Sequence, residues 1–392
     1  TNGYAQFDIQ NILQSYIKSS KVGLERTNPW SDSENEVFEY NIAYGTETGG
    51  AVDTPLNIEI GLKVIGGRKD YYDLTWNESS YKAVAEEDET GCTVISQQGK
   101  ALTDWSEYKL ISDMTDGYPD WSQSTDKVYT QKVRRSDNFT LSVLNDIGIG
   151  AIPPSVNVDK IESYRVSSFD QFGTLIDDFY ANNPFEFGAN NRVVTAGIGP
   201  ANFTIPINAA ATHYYVGFPL WTPDTCPIDN DFNTDRSAMG FYRFDIVDDK
   251  CNDYEPIQFS WLNSLGFRDY FYFEKRNERS VGISRNNYLA ESNDYNDNVF
   301  TSRLTDRGYT TYSQKLEERY VANTRFLQDY EADFLQNLFI SPDVHVRFGD
   351  DTDWFPVTLL TTTYTERNYR KDKLFQYEIS FKKAHNIKSQ RG

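Results

Sequence analysis

Chemistry in this chain would have to come from three histidines, three cysteines or one dense run of acidic and amide side chains. His213, His345 and His385 lie far apart in different contexts. No His-Glu-x-x-His or comparable cluster joins two of them, so neither a zinc site nor a triad follows from their spacing. His213 precedes Tyr214-Tyr215 and reads as a packed or hydrogen-bonded residue. Cys92, Cys226 and Cys251 are odd in number and widely spaced, which fits neither a disulfide framework nor a zinc pattern. Free buried thiols are expected, as in a reducing cytosol, and Cys226 with Cys251 is the pair a disulfide could join. Asp229-Asn230-Asp231-Phe232-Asn233-Thr234-Asp235 places oxygen ligands at alternate positions, like the start of a calcium loop. Thr234 stands where the sharp turn wants Gly, however, and Gly240 where a bidentate Glu belongs, so an acidic surface loop is the better reading. Gly148-Ile149-Gly150 runs into Pro153-Pro154, where no phosphate-binding helix can follow, and reads as a turn. There is no G-x-S-x-G, P-loop or dinucleotide fingerprint. Asp and Glu are too abundant for a glycosidase pair to be picked out. The sequence offers no catalytic, cofactor-binding or metal-binding residue, and an enzyme is not expected.

The elements point to architecture instead. Pro256 to Arg276 (PIQFSWLNSLGFRDYFYFEKR) reads as two strands around the turn Asn263-Ser264-Leu265-Gly266. A hairpin this apolar must be covered on at least one face, by its own domain or by a neighbouring subunit. Asp8 caps a short N-terminal helix whose Ile9, Ile12, Leu13, Tyr16 and Ile17 form one face, with Phe7 and Ile12 as a hydrophobic staple. Residues 36 to 150 read as short strands, among them Leu56 to Val64, Tyr71 to Trp76 and Phe139 to Val143, with Glu86-Glu87-Asp88-Glu89 as a solvated loop. Pro153-Pro154 marks a boundary. Beyond it come a strand over Val156 to Val166, a helix opening at Ser168-Phe169-Asp170-Gln171 and carrying Phe172, Leu175, Ile176 and Phe179, and strands near Phe203 to Ile207 and Tyr242 to Val247. Asn286 to Tyr309 reads as a long polar connection. A helix over Asn323 to Ile340 shows Phe326, Leu327, Tyr330, Phe334, Leu335, Leu338 and Phe339 on one face. Strands at Val344 to Phe348, Trp354 to Thr365 and Phe375 to Lys382 close the chain. The expected fold is mainly β, a multi-domain β-sandwich/α+β protein with a few short helices. Its domains would be 1-152 (β-rich, with the leading helix), 153-250 (β-rich and loop-rich) and 251-392 (α+β, with the aromatic hairpin).

Composition agrees. The 27 Tyr, 25 Phe and 7 Trp against 2 Met suit pleated, half-buried surfaces better than a helical bundle. The net charge of −20 repels phosphate backbones and argues against nucleic-acid contact by the acidic body. From Arg367 to Gly392 eight Lys/Arg face two acidic residues, a net of +6, which leaves −26 on the remainder. An acidic body with a basic tail could guide subunits into order. The opening TNGYAQFDIQ has no charged region followed by an apolar stretch, Thr1 fits loss of an initiator Met, and no run of about 18 apolar residues suggests a membrane span.

Three motifs resemble tailed-bacteriophage virion structural proteins of marine and Bacteroidetes-type phages. The first is Asp249-Lys250-Cys251 leading through Tyr254-Glu255-Pro256 into FSWLNSLGFRDYFYFEKR. The second is the helix end at Leu335 to Val344 (LQNLFISPDV), and the third the ending Arg370 to Ala384 (RKDKLFQYEISFKKA). FDIQNILQSYI is similar to openings seen in the same group. The likeness is best over the C-terminal 140 residues and poor in the middle. It implies a β-rich subunit of the tail, baseplate or neck, assembled in the host cytoplasm into a symmetric homo-oligomeric ring with other tail or neck proteins, and no catalytic residues. A glycan-binding module or depolymerase acting on host-surface polysaccharide is the competing expectation.

Overall fold

A computed structural model of the chain describes, with short gaps, residues 81–103, 128–149, 160–219, 237–289, 294–361 and 376–391, together with Ile12 and strand segments between 29 and 65. Among these residues the protein is mainly β, with several sheets, and Asp329–Ile340 is the α-helix with defined bounds. Two compact units are present. The first comprises Thr1–Asn252, Ser260–Phe271 and Asp329–Pro342; the second comprises Asp253–Phe259, Tyr272–Gln328 and Asp343–Gly392.

The first unit is a sandwich. One sheet orders its strands as Leu175–Asn182, Ser163–Phe169, His213–Pro219, Ser237–Ile246 and Val128–Val133, antiparallel except for the last pair. The other is the antiparallel trio Trp30–Asp32, Val193–Gly197, Thr140–Leu144. Strands on either side of residue 152 thus pair with one another. Aromatic rings fill the space between the sheets: Trp30 lies 5.2 Å from Tyr164 and 6.4 Å from Phe218, and Phe139 lies 5.2 Å from Phe244. Two tyrosines turn this packing into specific register. Tyr164 donates its hydroxyl to the Gly197 carbonyl and Tyr214 to that of Ile198, both at 2.8 Å. Burial raises the pKa of both phenols, so they stay neutral donors. A smaller sheet sets Ala83–Glu87 between Ile147–Ile149, parallel, and Thr93–Gln97, antiparallel.

Several local readings change here. The helix expected from Ser168 is a hairpin joining Ser163–Phe169 to Leu175–Asn182. Asp170 does not support a first helical turn; its carboxylate accepts the N–H groups of Phe172 and Thr174, both at 2.8 Å, and Gly173 takes φ +77°. That turn closes a hairpin with a bulge; Phe172 sits in the turn itself, and Leu175, Ile176 and Phe179 lie along the second strand. Phe203 to Ile207 is irregular; the chain makes the short 3-10 turn Pro200–Asn202 and then anchors Phe203 and Ile207 in the core. Gly148 lies in a strand rather than a turn, where a Cβ would sit 3.2 Å from Val84 Cγ2. Glu86 and Glu87 end a strand, with Glu86 exposed. Asn57–Ile65 is a strand, as the alternation over Leu56 to Val64 predicts, and it pairs with Val37–Tyr44. Tyr71 to Trp76, Pro153-Pro154 and Val156 to Asp159 lie outside the described residues.

The aromatic hairpin forms as expected, from Ile257–Leu262 and Arg268–Phe273. Every residue of both strands is buried, so the chain itself covers both faces. In the first unit, Phe334 of the Asp329–Ile340 helix packs on Trp261 at 5.1 Å and on Phe271 at 6.5 Å, while Tyr270 stacks 4.6 Å from Phe139 and shares a 2.7 Å hydrogen bond with the Thr140 hydroxyl. The turn is built on Asn263, whose Oδ1 accepts the N–H groups of Leu265 and Phe267 and whose Nδ2 donates to the Leu102 carbonyl. In the second unit, Phe259 packs on Phe273 at 4.5 Å and on Phe381 at 5.2 Å. The helix begins at Asp329, later than its sequence pattern suggests, because Tyr309–Asn323 is a strand. Leu327, Phe334, Leu335 and Leu338 are buried as expected, but Phe326 is exposed.

Strands of the second unit are ordered Val344–Phe348, Phe355–Leu359, Glu378–Lys383, Tyr309–Asn323, Asn277–Leu289, with Ile387–Arg391 also pairing to Tyr309–Asn323. The alternation around Tyr377, Ile379 and Phe381 buries those three residues. Tyr320, Phe348 and Phe381 line one face, and the Lys383 ammonium lies 3.8 Å from the Phe355 ring centre and 4.7 Å from that of Phe348.

Candidate assembly surface

Two of the three histidines fall among the described residues, and each is accounted for locally. His213 is buried, stacked 5.5 Å from Phe169 and edge-on to Tyr215, with Nδ1 3.1 Å from the Thr212 hydroxyl, which is a packed and hydrogen-bonded histidine. His345 sits 3.3 Å from the Asp343 carboxylate. His385, Cys92, Cys226, Cys251 and Asp229 to Asp235 lie outside the described residues, as does the expected N-terminal helix except Ile12, which is helical and 60% exposed. Among the described residues no group of three His, Cys, Asp or Glu is placed to hold a metal, and no helix is long and apolar enough to cross a membrane.

The feature that invites a partner is a ribbon the sequence reading missed. Asn286 to Tyr309 does not form one polar connection. The 13-residue strand Asn277–Leu289 pairs antiparallel with the 15-residue strand Tyr309–Asn323, and between them lies a small hairpin, Asp294–Asn296 with Val299–Thr301. At about 3.3 Å per residue the ribbon is about 40 Å long. Its first strand is exposed along almost its whole length. A signal was present in the sequence: Val281 and Ile283 alternate with Ser280, Gly282 and Ser284, the period of a strand covered on one side.

Register sorts the side chains into two faces. Arg279, Val281, Ile283 and Arg285 stand opposite Tyr320, Glu318, Leu316 and Gln314. The other face carries Glu278, Ser280, Gly282, Ser284 and Asn286 opposite Val321, Arg319, Glu317, Lys315 and Ser313. One face is therefore partly apolar and the other polar. The register shift after Asn286 re-aims the tip, where Tyr288 lies 6.1 Å from Tyr312 and where Leu289 and Tyr309 are 68% and 77% exposed.

Ion pairs and a tyrosine hydroxyl join the two strands near the root of the ribbon. Arg279 donates to Glu318 at 2.6 Å, and the Tyr320 hydroxyl donates to the same carboxylate at 2.8 Å. Burial, reinforced by that hydrogen bond, pushes Tyr320 up to about 12. Glu317 is held below the usual carboxylate range by the hydrogen bond from Arg319 and by Lys382, 3.6 Å away. The basic C-terminal segment predicted to guide docking is partly built into this region, since Ile387–Arg391 pairs with Ser313 to Glu317.

Known proteins add no template for this arrangement: no family model matches the chain, and no curated protein or solved structure was found to be similar to it.

Proposed function

We propose that this chain is a non-enzymatic structural subunit that works by assembly, a component of a tailed-bacteriophage tail, baseplate or neck. The observation that carries the assembly reading is the ribbon. Glu378–Lys383 and Ile387–Arg391 continue the sheet beyond Tyr309–Asn323, which leaves Asn277–Leu289 as its outer strand among the described residues, and a strand pair alternating apolar with polar residues has a face suited to a cover. Val281, Ile283, Tyr288 and Leu289 remain 48% to 68% exposed in the single chain. The virion setting is supported by the resemblance of the hairpin, helix-end and C-terminal motifs to phage structural proteins. Partners would be further copies in a ring and other tail or neck proteins.

The test is to purify the chain, record native mass and negative-stain images, and locate the chain in a virion reconstruction. Rings or partner-dependent assemblies, with density at the tail, baseplate or neck, are expected. A stable monomer that binds or cleaves bacterial polysaccharide would replace this reading with the glycan-binding one, for which the exposed tyrosines at 288, 309 and 312 would supply stacking platforms.

A further inference from the structure

We infer that the ribbon of one copy docks on the exposed edge strand Leu175–Asn182 of the first unit of a second copy, so that the subunits join head to tail. The inference rests on the structural-subunit reading above and supplies its contact. Charge selects the occupant. The first unit carries 20 Lys/Arg against 41 Asp/Glu, a net of −21, whereas the second carries 18 against 17, a net of +1. Within the second unit the ribbon strands and Ile387–Arg391 hold six basic and three acidic residues, a net of +3. Ribbon against ribbon would oppose like charges; ribbon against first unit opposes unlike ones.

Edge chemistry selects the place. Among the described residues Leu175–Asn182 is an outer strand of the five-stranded sheet, with no neighbouring strand on one side of its backbone, where the Ala181 carbonyl accepts the Trp30 Nε1–H at 2.9 Å. It carries no basic residue; its Asp178 is paired with Arg165 at 2.6 Å and its Asp177 accepts the Ser168 hydroxyl and the Asn208 N–H, so the acidic balance of the whole unit supplies the complementarity rather than these two carboxylates. It and its turn expose apolar side chains, with Phe172 82%, Leu175 43% and Tyr180 50% exposed. Val281 and Ile283, on a face shared with Arg279 and Arg285, offer the matching pattern of apolar centre and cationic flank. Because the two surfaces differ, each copy presents one and receives the other, and the contact propagates until a rotation closes it into a ring.

The test uses the full chain carrying Tyr288→p-benzoylphenylalanine, mixed with isotope-labelled copies, photo-cross-linked and mapped by mass spectrometry. Cross-links between differently labelled copies that land within residues 170–182 are the expected result. Separately, I283T and R285E, placed on an exposed strand where folding should survive, should each raise the concentration needed for assembly at least tenfold, and F172S should do the same from the other side. Assembly with cross-links elsewhere, or only between ribbons, overturns the docking while leaving the structural-subunit reading in place. A chain that stays monomeric at all concentrations and without partners overturns both.

Discussion

Two successive hairpins of this chain, residues 257–273 and residues 277–323, end in opposite environments. The first has both strands entirely buried; the second has a 13-residue strand exposed almost throughout. The cause is visible residue by residue. In the first hairpin Phe259 and Trp261 pack on one side, and Tyr270 on the other is met by Phe139 and Thr140, so both faces have apolar neighbours. In the second, one face is lined mostly by serines, a glycine and charges with Val321 at its root, and the other carries Val281, Ile283 and Leu316 among polar residues, with Tyr320 at its root packed on Phe348 and Phe381. The first hairpin is finished by its own chain. Among the described residues the second leaves a partly apolar face exposed, the feature on which the proposed assembly role rests.

The contrast can be broken most forcefully at the first hairpin. F271D or F273D places a charge among aromatic rings with no partner, at a cost of several kcal/mol, and should abolish folding or assembly in expression and circular dichroism assays without exposing a separate catalytic defect. W261A should destabilise the chain by about 3–5 kcal/mol in urea unfolding. Next comes the inter-sheet register of the first unit. Y214F leaves the Ile198 carbonyl without its hydroxyl donor and should cost about 1–3 kcal/mol. Tyr164 and Tyr214 also give that unit a pH limit. Their folded pKa values lie above the ordinary 10.0, so their contribution is intact below pH 10 and is lost as the pH climbs through the folded values. Urea midpoints recorded from pH 8 to 11 should fall above pH 10, and the fall should flatten in Y164F. At Gly173, φ +77° makes G173A cost about 1–2 kcal/mol. The Asp170 carboxylate, lowered chiefly by the Thr174 N–H, should hold that turn at neutral pH and release it as the pH falls below the usual carboxylate value, visible in the amide shifts of Phe172 and Thr174. The smallest effect on the single chain is expected in the ribbon, where I283T should change unfolding free energy by no more than about 0.5 kcal/mol while weakening assembly.

The mainly β fold was legible because its strongest signals were local. Ile379 and Phe381 alternate with Ser380 and Lys382, and Asn263 with Gly266 marks a turn; neither needs distant information. The helix expected at Ser168 failed although 172, 175, 176 and 179 have helical spacing, because Asp170 and Gly173 close a turn and pairing with Ser163–Phe169 overrides the local pattern. The ribbon was hidden by its own polarity: Arg285, Asn286 and Asn287 read as loop until the partner strand supplies the register. Pairings such as Val128–Val133 with Ser237–Ile246 join segments about a hundred residues apart, so local pattern could not show them. Of the candidate surface, the basic character of the C-terminal segment was legible by charge alone; its pairing with the ribbon was not.

Hydrogen exchange of the isolated chain compared with its assembled form tests the central claim most directly. The account predicts that the outer-edge amides of 277–289 exchange readily in the isolated chain and become strongly protected on assembly, while those of 257–262 and 268–273 are equally protected in both. Ribbon amides whose exchange is the same in the two states, or protection gained chiefly in the aromatic hairpin, would contradict it.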